Sequence, residues 1–138
     1  MTSVSLAKSY LKKAIDRLDI LDLLLKKGAY SDVVREAQEI VELCLKGMLR
    51  FVGVEPPKYH DVSPMMIEHK DRFRDISHED IMKMAKISKK LRKEREFSFY
   101  GDIDFIPTEE YTIDDAQDAM DGAHFVLEKV RKLFAEHL

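Results

Sequence analysis

The chain has too little glycine, cysteine and uninterrupted apolar sequence for several whole classes of protein. Its five glycines are dispersed and mostly stand where helices end, so none builds a phosphate-cradling loop. Cys44 is the single cysteine, which excludes a disulfide framework and a thiolate metal site. No apolar run approaches the roughly eighteen residues of a membrane span. The N-terminal stretch MTSVSLAKSYLKKAID has neither the apolar core nor the cleavage site of a secretory signal, so a reducing cytoplasm is expected and a membrane is not. Asparagine is absent and glutamine occurs twice, while lysine and glutamate abound, as in heat-adapted proteins. There is no HExxH motif, and the one His–Asp neighbour pair, His60-Asp61, lacks further ligands at matched spacing. No metal and no cofactor are expected.

What remains is a highly charged, foldable chain. Its 138 residues fit one domain, residues 1–138, with 45% hydrophobic content to fill a core and 36% charged residues to keep it in solution. A net charge of −3 argues against indiscriminate nucleic-acid binding, but the charge is segregated. From Lys83 to Arg95 there are seven cations against one acid, Glu94. From Asp102 to Asp121 there are eight acids and no Lys or Arg. Two solvated faces that attract each other, or a symmetry mate, are the plain explanation.

Helical spacing dominates. Ala7, Leu11, Ala14, Leu18, Leu21 and Leu25 form one stripe, which Gly28 ends. Val34, Ala37, Val41, Cys44, Leu45, Met48 and Val52 form a second, opening near Ser31 and closing at Gly53. Pro56-Pro57 forces an extended loop. Ser63-Pro64 reads as N-cap and first position of a short helix running to about Phe73. Ser77 with Asp80 caps a fourth helix that runs into the basic segment, and Thr112 with Asp115 caps the last, on which Ala116, Met120, Ala123, Leu127, Val130 and Phe134 share a face. Strand alternation is nowhere sustained. The expected fold is all-α: an up-and-down four-helix bundle with an additional short helix. Met48, Met65, Met66, Met82, Met84 and Met120 are expected to fill gaps in its core.

The segment LRKEREFSFYGDIDFIPTEEY, residues 91–111, carries the strongest functional signal. A connection between helices needs only a few polar residues. Here a basic helix end runs into Phe97, Phe99 and Tyr100 and then into an acidic, proline-containing loop. Arg95 beside these rings suits a phosphate with a base stacked nearby. The competing expectation is that the phenylalanines plug the open end of the bundle while Arg95 pairs with Asp102 or Asp104. Candidate ligand residues are Arg95, Tyr100, Lys89, Lys90, Arg92 and Lys93, with His60, Asp61 and Asp102 lining the same end. Among the other histidines, His124 flanks the core and His137 sits near a helix end.

In its order of features the chain resembles the HEPN domain family. The resemblance rests on Ala14, Leu18, Gly28-Ala29-Tyr30, Ala37-Gln38, Val41-Glu42 and Leu45-Lys46, then on the Pro56-Pro57 loop before His60-Asp61-Val62. It ends with Leu91, Arg95, Tyr100-Gly101, Pro107 and Tyr111-Thr112. The resemblance implies a helical bundle that usually forms homodimers. Many members are metal-independent ribonucleases, often toxins, with arginine followed after four to six residues by histidine and two such motifs meeting across the dimer. Others partner small nucleotidyltransferases or bind nucleotides without cleaving. This chain departs from the nuclease pattern: Tyr100 stands where histidine is required, and Asp102 where some members have tyrosine. A phenol with a pKa near 10 does not shuttle protons at neutral pH as imidazole does. Arg72 and His78 imitate the spacing but fall between the third and fourth helices.

The expectation is therefore a cytoplasmic homodimer that binds a nucleotide, RNA or a nucleotidyltransferase partner, a non-enzyme with no catalytic residue. A divergent ribonuclease and a ligand-free helical interaction scaffold remain the alternatives.

Overall fold

The computed structural model describes residues 2–58 and 61–136, and they form an all-α bundle. The helices are α1 (Thr2–Asp16), α2 (Leu18–Lys26), α3 (Tyr30–Phe51), α4 (Ser63–Glu68), α5 (His78–Phe99), α6 (Pro107–Glu110) and α7 (Ile113–Glu136). A 3₁₀ turn, Lys70–Arg72, follows α4. No strand forms among the described residues; one isolated bridge joins Asp102 to Phe105.

The long rods match the expected stripes, with α1 and α2 sharing the first. That rod is broken at Arg17, whose neighbours tighten to three-residue hydrogen bonds: Arg17 N–H to the Ala14 carbonyl at 3.2 Å and Ile20 N–H to the Arg17 carbonyl at 3.1 Å. Ala7, Ala14 and Leu21 stay on one buried face across the break. The expected short helix splits into α4 and the 3₁₀ turn, and its cap moves upstream. Val62 is the N-cap, and the Asp61 carboxylate accepts from the Ser63 N–H (3.0 Å) and hydroxyl (2.6 Å). The other two caps form as expected: the Ser77 hydroxyl accepts from the Asp80 N–H, and Thr112 and Asp115 cap reciprocally.

α3 is the hub, packing against α1, α5 and α7. It is therefore apolar on more than one side: Val33, Ile40 and Leu49 are buried as fully as Ala37, Cys44 and Met48. The α7 stripe is buried throughout, and Phe134 stacks on Phe51 with ring centroids 4.3 Å apart. Met48, Met66, Met84 and Met120 fill the core as expected. Met82 does not: it is exposed on the outer side of α5. α5 packs on α3 but diverges from α7, leaving a groove of about 310 Å³ whose floor includes Ile87, Leu91 and Phe125.

Candidate functional site

The basic run of α5 is one segment in sequence but several directions in space. Successive residues on a helix turn about 100°, so Arg92 and Arg95 lie toward α3 while Lys89 and Lys93 point outward. Arg92 pairs with Glu42 of α3 at 3.1 Å, and Lys46 reaches the same carboxylate at 3.8 Å. Lys90 turns toward α7 and meets Asp118 at 2.6 Å; this hydrogen bond raises the lysine pKa above its ordinary value. Lys89 and Lys93 are exposed and meet no carboxylate among the described residues.

Arg95 lies at the α3–α5 seam, half-buried. Its partner is neither Asp102 nor Asp104 but Glu39 of α3, at 3.8 Å. Glu39 also holds Arg35 at 3.4 Å. Arg35 then closes the site: it donates to the Arg95 carbonyl at 3.1 Å and lays its guanidinium 5.0 Å from the centroid of the Phe99 ring. Tyr100 packs edge-on to Phe99, centroids 4.9 Å apart, with 70% of its surface exposed. Two guanidiniums thus share one carboxylate beside two accessible rings. The cluster has one positive charge in excess, and 3.8 Å is long for an ion pair. Two cationic donors beside exposed aromatic faces have the chemistry to attract an anion that carries a flat ring.

Arg35 has no place in the sequence reading, being sixty residues from Arg95. The one signal was its position beside Val34 on the edge of the buried stripe. The phenylalanines do not plug the bundle. Phe97 and Phe99 are 46% and 52% exposed, and it is Phe105 that wedges between Phe97 and Tyr111, with centroids 5.4 and 5.7 Å away. Tyr111 donates its hydroxyl to Glu94. Burial and this acidic neighbour push the phenol pKa well above its usual value, so it is a structural donor.

The remaining candidates are dispersed. Asp102 turns back on its own loop and accepts from the Ile103 N–H at 2.8 Å. Asp61 caps α4 and shares a groove of about 450 Å³ with Lys86 and Lys89, away from the Arg35–Arg95 cluster. His60 and His137 lie outside the described residues. His124 is exposed on α7. His78 meets Asp71 at 3.0 Å while Arg72 donates to the Val52 carbonyl at 3.1 Å, so that pair is engaged in separate contacts. No group of three or more His, Cys, Asp or Glu among the described residues could hold a metal ion. No helix of the described residues is long and apolar enough to cross a membrane.

Comparison with known proteins adds two findings. The family model described as "HEPN domain" matches residues 7–133. The protein named "Putative toxin MJ1304" from Methanocaldococcus jannaschii is 26% identical over 141 aligned residues, spanning 97% of this chain and 91% of its own length. No solved structure matches significantly.

Proposed function

The chain belongs to the HEPN domain family, and on that premise we propose that it is a phosphate-binding module for RNA or a nucleotide that lacks the family's usual ribonuclease chemistry. One observation carries this: Arg35 and Arg95 share Glu39 beside Phe99 and Tyr100, with no imidazole of the described residues in contact. The guanidiniums would clamp phosphate, the rings would flank the base, and Lys89 and Lys93 would raise the local anion concentration. At the position of the nuclease histidine stands Tyr100, which supplies a hydrogen bond and a stacking face but no proton relay near neutral pH. In this reading residues 1–138 form one domain that works in the cytoplasm as a homodimer, and a small nucleotidyltransferase is the expected protein partner.

Fluorescence anisotropy with a short labelled single-stranded RNA at low salt tests the reading. Arg35→Ala and Arg95→Ala should each weaken binding roughly tenfold and reduce the salt slope by about one. Absence of binding by the unaltered chain, or indifference to both substitutions, sinks the proposal.

The toxin description of the relative favours a second reading, a divergent metal-independent ribonuclease. Among the described residues its candidate pair is Arg72 and His78, with the His78 imidazole 3.0 Å from the Asp71 carboxylate. RNA incubated with the protein in chelator separates the two. Cleavage abolished by His78→Ala but retained by Arg95→Ala would establish the ribonuclease reading and displace the first.

A further inference from the structure

Two parts of the surface lie outside the Arg35–Arg95 cluster and complement each other in chemistry. The first is the groove between α5 and α7, about 310 Å³ in volume. Ile87, Leu91, Ala119 and Phe125 give it an apolar bed, and Lys83, Lys86 and Lys90 stand along its α5 side. Lys90 is taken by Asp118 at 2.6 Å, and Asp121, on the α7 side, accepts from the Gln117 amide at 3.1 Å. Lys83 lies 4.0 Å from the centroid of the Phe125 ring, and Lys86 is exposed. Neither forms an ion pair among the described residues, so two ammonium groups edge the bed without a carboxylate.

The second is the turn after α5. Gly101 reverses the chain at φ +68°, and Asp102 and Phe105 exchange two backbone hydrogen bonds, of 2.9 and 3.0 Å. Phe105 is wedged between Phe97 and Tyr111, which fastens the turn from below. Ile103 stands at its tip, 91% exposed. Asp104, Glu109 and Glu110 are exposed as well, and residues 102–114 contain no Lys or Arg. A single exposed isoleucine is ordinary, and acids alone name no partner. The groove of the same chain, however, has the opposite charge beside an apolar bed.

We propose that the tip of one copy docks in the α5–α7 groove of a second copy, with Ile103 on the apolar bed and the carboxylates against Lys83 and Lys86. The fastened turn leaves Ile103 outside its own chain's groove, so the contact is made between copies. Tip against tip brings acids together, and groove against groove brings lysines together, which leaves tip in groove. Made once, that contact leaves a tip and a groove unused and would propagate into a filament; a two-fold axis closes it by making it twice. The second contact is then intramolecular, so two weak docks hold what one does not. The docking rests on the homodimer proposed above and specifies its interface; Arg35 and Arg95 take no part in it.

Charge exchange in the full chain tests it, followed by light scattering at low salt. Asp104→Lys with Glu109→Lys reverses the tip, and Lys83→Glu with Lys86→Glu reverses the groove. Each variant alone should self-associate about tenfold more weakly than the parent. An equimolar mixture should dimerise again, because both of its contacts then join opposite charges. Independently of those variants, Ile103→Cys and Ile87→Cys chains mixed under mild oxidation should form a disulfide between the two substituted positions, Cys44 being buried. Variants that dimerise alone, a mixture that stays monomeric, a disulfide that joins only two tips or none at all, or assemblies that grow beyond the dimer would overturn the docking. A monomeric parent would overturn the homodimer with it. A parent dimer indifferent to charge exchange would overturn the docking alone, and RNA binding weakened by Arg95→Ala would uphold the phosphate reading in either case.

Discussion

In the proposed anion site Glu39 would set the strength of attraction, because its carboxylate offsets one of the two guanidiniums beside it. Replacing it with an isosteric amide leaves the volume and raises the local charge by one. Glu39→Gln should therefore tighten RNA binding several-fold and steepen its salt dependence by about one counterion; weaker binding in the same anisotropy titration would show that Glu39 orients the arginines more than it neutralises them. Glu36, one turn earlier on α3, has the opposite character. Burial raises its pKa above the ordinary 4.5, and Arg17, 3.3 Å away, lowers it only partly because no hydrogen bond reaches the buried Oε1. The folded state thus holds this proton more tightly than the unfolded chain does. Its contribution to stability is fully present below 4.5 and is lost as pH rises through the higher folded value. In urea unfolding followed against pH, Glu36→Gln should remove that decline just above pH 4.5; an unchanged profile would assign the decline to other groups. Cys44, whose thiol burial pushes up to about 12, should stay unreactive toward alkylating reagents until the bundle opens.

Between α5 and α7 the chain makes a structured link of α6 and the Ile103 turn, and its stability hangs on two contacts. Gly101→Ala places a methyl group within 2.3 Å of backbone at a positive φ, and the backbone cannot yield as a side chain would. Tyr111→Phe leaves the Glu94 carboxylate without its donor. Gly101→Ala should cost about 2 kcal/mol or more, and Tyr111→Phe about 1–2 kcal/mol because the pair is only partly buried. Thermal melts should order the two in that sense, and a Gly101→Ala protein as stable as the parent would mean that the turn is loose. Little of this link was legible in the sequence, whereas the α7 stripe and the Ser77 and Thr112 caps were. Stripes and caps are local: they depend on residues three or four apart, and spacing alone fixes them. The break at Arg17 carries no glycine or proline to mark it, and α6 holds its four residues against the tertiary contacts of Phe105 and Tyr111. The site divided the same way. Arg95 and Tyr100 stood out by composition, but the partners of Arg95 came from α3. The apparent basic patch was also split by helix rotation, with Arg92 turned toward Glu42 and Lys93 into solvent.

Across the whole molecule charge is separated along the chain and only partly reconciled within it. Lys90 reaches Asp118, but Lys86, Lys89 and Lys93 are exposed on α5 and form no ion pair among the described residues, and Asp102, Asp104, Glu109, Glu110 and Asp114 are likewise exposed. A net charge of −3 is too small to hold copies apart at long range, so the local pattern governs association. In the proposed homodimer the lysines of one subunit would face the acids of the other, while the apolar floor of the α5–α7 groove offers a seam that salt does not weaken. These two interfaces respond oppositely to ionic strength. Screening shortens the reach of a charge from about 10 Å at 0.1 M salt to about 3 Å at 1 M, and apolar burial is unaffected or strengthened. Because the unpaired charges outnumber the exposed apolar groups along the outer side of α5, the charge-paired form is expected. Light scattering should report twice the 16.1 kDa chain mass at low salt and fall toward a single chain as salt rises. Lys86→Glu with Lys89→Glu and Lys93→Glu should give the monomer at every ionic strength. A dimer that persists at 1 M salt and survives the triple substitution would place the seam on Ile87, Leu91 and Phe125 instead, leaving the lysines for phosphate alone.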